Sequence, residues 1–264
     1  VGCLLSGNVL EELEGGAEPP CVSGECPYAT EHRQGALGVY VAEESQQNII
    51  DETNVLSSQP ILYRYGAQNE VLEGYVIDRQ DLGTNWGQVA IFESSNVTLR
   101  DIEVSGARGI QGTEAGWSMA AVQLKGCDGC AVDGLTVHDV EAGKGNSSWS
   151  CYEGGQPGGA LAALALIQVS GLDARNLLLH DLRGGASGAS ECEDHGTGGA
   201  GYGIWAEAVD GTIQHATITD LQGGAGATHL GTESIYLGAQ TEGQVLVLRN
   251  SILSLIDSLD LFFL

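Results

Sequence analysis

Short stretches in which apolar and polar residues alternate return along this chain in one form. "NVTLRDIEVSGARG" at residues 96–109 comes back as "AVDGLTVHDVEAG" from Ala131, "DARNLLLHDLRGG" from Asp173 and "TIQHATITDLQGG" from Thr212. A fainter copy, "LVLRNSILSLID", starts at Leu246, and a degenerate one, "VLEGYVID", at Val71. The copies align on a single small or polar anchor: Gly74, Asp101, Gly134, Asn176, His215 and Asn250. Two residues before it stand Leu72, Leu99, Val132, Ala174, Ile213 and Leu248; one after, Tyr75, Ile102, Leu135, Leu177, Ala216 and Ser251; three after, Ile77, Val104, Val137, Leu179, Ile218 and Leu253. Apart from Ser251 these positions are apolar, whereas the position just before the anchor reads Glu73, Arg100, Asp133, Arg175, Gln214 and Arg249. A period of two on each side of the anchor predicts short strands with one face inward and one outward.

The inward parity slips by one at the anchor, from minus two to plus one, which a straight strand cannot do. A chain that bends there can, and Gly, Asn, Asp and His are the residues that best tolerate the left-handed backbone such a bend requires. Another strand precedes each copy: "GQVAIFE", "MAAVQLKG", "LALIQVSG", "YGIWAEA" and "ESIYLGAQ". Identical columns align only if successive copies stack in parallel, about 4.8 Å apart. These columns resemble those of the pectin-lyase-like superfamily over roughly residues 36–257. The resemblance implies an all-β, right-handed parallel β-helix, a handedness that also follows the general preference of crossovers.

Anchor-to-anchor spacings of 27 to 42 residues exceed the roughly 20 to 25 that a plain repeat needs. The excess falls each time after the third column, so segments 105–119, 141–160, 183–202 and 222–234 are expected as long loop insertions on one edge, where such folds place function. They contain Trp117, Trp149, Tyr152, Tyr202, Asp194 and His195. Aromatic faces beside carboxylates suit carbohydrate, with rings stacking on sugar faces and carboxylates accepting from hydroxyls. The same aromatics also suit small satellite cores under the loops.

Forty Gly against five Pro fits a turn-rich β protein. A net charge of −25 with only two Lys excludes nucleic acid and anionic membrane as partners, since both need a positive footprint. No apolar run is long enough to span a membrane. The seven Cys lack a zinc-like pair of pairs and point to disulfides and a secreted or cell-surface location. Cys151 and Cys192 occupy equivalent insertions and are expected to pair; Cys3, Cys21 and Cys26 fall in an expected N-terminal cap over residues 1–35, with the β-helix over 36–264. "CDGC" at Cys127–Cys130 lacks a βαβ setting and reads as a structural turn.

His138 and His180 share a column and are followed by Asp139 and Asp181, with Asp220 continuing the acidic line. Such a ladder suits a metal or acid–base chemistry, or a carboxylate that caps the following turn. No cofactor is expected, with calcium as the one candidate ion. "EDHGTGG" at residues 193–199 resembles the Gly-His-Gly element of polygalacturonase-type hydrolases without their aspartate cluster or basic pair. The expectation is a non-catalytic extracellular module with a structural, adhesive or carbohydrate-binding role. The alternatives are a polysaccharide lyase or hydrolase of the same superfamily, or a subunit that stacks end to end through its terminal repeats, as "LFFL" at the C-terminal side suggests. Partners would then be a polysaccharide or another copy of the chain.

Overall fold

The computed structural model describes residues 4–7, 9–10, 48–50, 53–56, 58–78, 88–109, 119–145, 156–188, 196–226, 232–238 and 244–253. Every regular element among them is a β-strand. β1 (Leu4–Leu5) and β2 (Val9–Leu10) pair parallel with β3 (Ile49–Ile50) and β4 (Val55–Leu56). β4 turns back on β5 (Gln59–Pro60), the one antiparallel pair among the described residues. All later strands join one parallel sheet. They are β6 (Leu62–Tyr65), β7 (Val71–Glu73), β8 (Val76–Asp78), β9 (Val89–Phe92), β10 (Thr98–Ser105), β11 (Met119–Lys125) and β12 (Ala131–Glu141). β13 (Leu161–Arg183), β14 (Gly201–Ile218), β15 (Leu221–Gln222), β16 (Thr232–Leu237), β17 (Leu246–Arg249) and β18 (Ile252–Leu253) complete it.

The sheet runs β6-β9-β11-β13-β12-β10-β7. Its two ends, β6 and β7, are neighbours along the chain, so the sheet curls back on itself. β13 makes the bend: its first half pairs with β11 and its second with β12.

Pairing follows the columns residue for residue. Leu72 stands against Leu99, Leu99 against Val132, Val132 against Ala174, Ala174 against Ile213 and Ile213 against Leu248. Ile77, Val104, Val137, Leu179, Ile218 and Leu253 form an equally regular line. All but the last copy's members are buried, and each fully buried Leu, Ile or Val contributes roughly 1.5–3 kcal/mol. Leu248, in the last described copy, is 40% exposed.

The bend at the anchor is present in every copy. Gly74, Asp101, Gly134, Asn176, His215 and Asn250 all have φ between 47° and 77°. At Gly134 an added Cβ would also crowd the Asp101 carboxylate of the neighbouring copy, so a side chain there would have to displace it. A second left-handed corner lies five residues further on, at Gly106, Asp139, Asp181 and Asp220, with φ of 70°, 54°, 52° and 53°. It shifts the inward parity again, and Ala107, Val140, Leu182 and Leu221 drop back into the core.

That second corner corrects the expected insertion boundaries. The chain stays in the repeat until about the seventh residue past the anchor, where Arg108 bridges Glu141, Glu141 pairs with Arg183 and Arg183 with Gln222. Of the expected cap, Leu4–Leu5 and Val9–Leu10 continue the parallel pairing pattern, while Cys3, Cys21 and Cys26 lie outside the described residues. So do Phe262, Phe263 and Leu264. No helix among the described residues is long and apolar enough to cross a membrane.

Candidate functional site

Past the second corner the chain enters Gly-rich extended segments that are not sheet. Residues 142–145, 184–188 and 223–226 lead away from the strands, and 156–160 and 196–200 lead back to them. The outgoing segments bond to one another: Ala142 N donates to Arg183 O at 3.0 Å, Gly145 N to Ala186 O at 2.8 Å, Gly184 N to Gln222 O at 2.8 Å and Ser187 N to Ala225 O at 2.7 Å. The returning pair is joined by Gly158 N donating to Thr197 O at 2.9 Å. A zigzag then ties the two layers: Gly159 N to Gly143 O, Gly185 N to Gly159 O, Gly199 N to Gly185 O and Gly224 N to Gly199 O, each at 2.8 Å.

This two-layered slab is made of backbone. A Cβ on Gly158 or Gly224 would overlap the carbonyl of Gly185, and one on Gly199 would overlap that of Gly159. Glycine is therefore required by close approach of peptide groups, and the buried N–H and C=O groups are satisfied by each other, as interior peptides must be.

The intervals 146–155 and 189–195 begin and end on the slab. Gly188 N donates to Gln156 O at 2.8 Å, so the return from the first interval lies against the departure into the second. Trp149, Tyr152, Asp194 and His195, the expected pair Cys151 and Cys192, and Trp117 lie outside the described residues.

Tyr202 is described. It is the second residue of β14, just after the slab, and its ring meets Trp205 edge-on at 5.1 Å between centroids and Tyr236 at 5.3 Å; Trp205 and Tyr236 are 4.4 Å apart. All three rings are half-buried, so they pack on one another and still show surface. Trp205 and Tyr236 sit on strands rather than in insertions, which is why the sequence pattern did not single them out.

The His-Asp ladder forms as stacked neighbours. His138 and His180 lie face to face, 5.2 Å between centroids and 5° from parallel. His138 Nε2 is 3.3 Å from Glu103 Oε1, and His180 Nδ1 is 2.7 Å from Asp181 Oδ2. Asp139, Asp181 and Asp220 each stand at the left-handed corner.

Two arginines that the columns did not reveal flank them. Arg108 Nη1 donates to Asp139 O at 2.6 Å and Ala107 O at 3.2 Å, and its Nη2 to Asp139 Oδ1 at 3.0 Å. Arg183 Nη2 donates to Gln222 Oε1 at 2.8 Å. Together with Glu141, Asp181 and Asp220 these side chains line a shallow cleft of about 230 Å³. Among the described residues no group of three or more His, Cys, Asp or Glu is arranged to hold a metal ion.

The other arginine column is an outward ladder of ion pairs. Arg100 Nη1 lies 3.3 Å from Glu73 Oε2 and Arg175 Nη2 2.9 Å from Asp133 Oδ2, while Asn176 Nδ2 donates to Asp133 Oδ1 at 2.7 Å. Hydrogen bonds from Arg175, then from Asn176, hold the Asp133 carboxyl below the usual carboxylate range. A carboxyl depressed in the folded state adds stability that is complete above its unfolded pKa, about 3.9, and is lost as pH falls through the folded value. Carboxyl-carbon NMR should therefore find Asp133 titrating below the ordinary range, and returning towards it in Arg175→Gln. An ordinary titration in the unaltered protein would show that the pair does not form in solution.

No protein-family model matches the chain, and neither a curated protein nor a solved structure matches it.

Proposed function

We propose that the chain is an exported, non-catalytic right-handed parallel β-helix of the pectin-lyase-like type whose insertion edge binds carbohydrate. The solenoid reading is supported by the parallel register of the columns and by two left-handed corners at constant spacing in successive copies. The glycine slab carries the binding reading. It fixes the ends of neighbouring intervals with backbone hydrogen bonds, and those intervals, 146–155 and 189–195, carry Trp149, Tyr152, Asp194 and His195 in the sequence. Rigid scaffolds that present variable segments in this way are where recognition concentrates. The ring cluster of Tyr202, Trp205 and Tyr236 beside the slab adds aromatic surface suited to sugar faces.

The test is retention on immobilised neutral and anionic polysaccharides. Binding is expected without turnover, to fall about tenfold or more when Trp149→Ala or Tyr152→Ala removes a stacking ring worth on the order of 1–2 kcal/mol, with the β signal unchanged. Neutral polymers are favoured, because uronates would meet a field of like charge unless calcium bridged them. Failure of the unaltered protein to bind any of them would remove the reading.

The cleft favours a second reading, a lyase or hydrolase, since it places arginines among carboxylates. Arg108 is engaged by two carbonyls and a carboxylate, which suits a clamp better than a group that moves a proton. Arg183 is exposed. Unsaturated products or new reducing ends that vanish with Arg183→Ala, His195→Ala or Asp194→Ala would replace binding by catalysis. The open core position at Leu248 favours a third reading, end-to-end association, for which light scattering should show oligomers that Leu248→Glu dissolves.

A further inference from the structure

Cys127 and Cys130 belong to none of the surfaces above. Both are core residues, 1% and 0% exposed, on either side of Asp128 and Gly129. Gly126 and Gly129, with φ of 66° and 63°, make the two bends of this turn, so both side chains leave it on the inward side. There the two thiols lie close enough to perturb each other, and the Cys127 thiol donates to Ile91 O at 3.5 Å.

The stacked pairing places Ser94 and Val97 at the same two positions of the preceding copy, and Val169 and Leu172 in the following one. An apolar pair such as Val169 and Leu172 fills this space adequately. Two thiols meeting across it can do something that pair cannot.

We propose that Cys127 and Cys130 are a dithiol–disulfide couple that closes across this turn while the protein folds in an oxidising compartment. Residues three apart across a tight turn fall within the separation a disulfide spans. The two thiols are also unequal. In the folded chain the neighbouring Cys127 brings the Cys130 thiol down to about 7, while Cys130 and burial push Cys127 up. While the chain is unfolded or locally open either thiolate can begin the exchange, and the route from Cys130 mirrors the one from Cys127.

A low-molecular-weight disulfide, glutathione disulfide, supplies the oxidising equivalents. The Cys130 thiolate attacks one of its sulfurs, forming a protein–glutathione mixed disulfide and releasing one glutathione thiolate. Cys127 passes its proton to solvent and attacks the Cys130 sulfur, expelling the second glutathione. Two protein thiols become one disulfide, and one glutathione disulfide becomes two glutathiones. Because both side chains are buried in the finished fold, exchange belongs to folding or to local opening.

The experiment uses the full chain, reduced and unfolded, then refolded in glutathione buffers of graded ratio. Far-UV dichroism confirms the β signal; acid quenching, alkylation in denaturant and tryptic digestion follow. Cleavage after Lys125 and Lys144 releases residues 126–144, which contain Cys127 and Cys130 and no other cysteine. That peptide should emerge unalkylated and about 2 Da lighter than its dithiol form, in a fraction that rises with glutathione disulfide and converts to the doubly alkylated form after dithiothreitol. Protein isolated without reductant gives the same readout if refolding fails. A doubly alkylated peptide in the most oxidising buffer that restores the β signal overturns the proposal. So does a peptide that retains one glutathione, or a link to Cys3, Cys21, Cys26, Cys151 or Cys192.

Discussion

Leu177→Asp yields a chain that does not fold. Leu177 is 2% exposed, and its neighbour in the stack, Ala216, is apolar and buried, so an aspartate there has no partner. An unpaired buried charge costs several kcal/mol, a large part of the roughly 5–15 kcal/mol that holds a domain together. The adjacent Leu178 points outward and is 40% exposed, so Leu178→Asp should stay within about 0.5 kcal/mol of the unaltered protein. Far-UV dichroism and urea unfolding of the two variants read the strand parity directly. A cooperatively folding Leu177→Asp protein would contradict the register.

Gly185→Ala tests the slab. A Cβ on Gly185 would overlap the carbonyl of Gly143 and press on the Gly159 amide, whose own hydrogen bond and that of Gly185 run through the same contact at 2.8 Å. Overpacking and the strained hydrogen bonds together should cost about 3 kcal/mol or more. Gly74 provides the comparison: its φ is 74° and nothing lies within 4 Å of an added Cβ. Gly74→Ala should therefore cost only about 1–2 kcal/mol, the left-handed penalty alone. Equal urea midpoints for the two variants would mean that the segments are not closely packed.

The stacked strands were legible because side chains write their own period: Leu99, Val132, Ala174 and Ile213 pair in the register their alignment implies. The second corner was half-legible. Asp139, Asp181 and Asp220 stood out as a column, but Asp invites a chemical explanation, and their left-handed backbone shows only in the structure. Arg108 and Arg183 were missed because Glu141 and Gln222 alternate with them along the stack, breaking any run of like residues. The slab left half a trace, since Gly143, Gly185 and Gly224 each stand nine residues past an anchor. Its returning half, Gly159 and Gly199, lies beyond insertions of unequal length, and glycines have no side chain whose alternation would show that the two halves meet.

The slab also changes how the protein responds to temperature. Unfolding the stacked strands uncovers apolar side chains, which raises the heat capacity, whereas unfolding the slab uncovers mostly peptide groups, which lowers it. The strands therefore give the stability curve its curvature and the glycines flatten it. As water cools, apolar burial weakens, while the peptide contacts between Gly143, Gly159, Gly185, Gly199 and Gly224 do not share that loss. The glycine edge of the molecule is consequently the part that cold softens least.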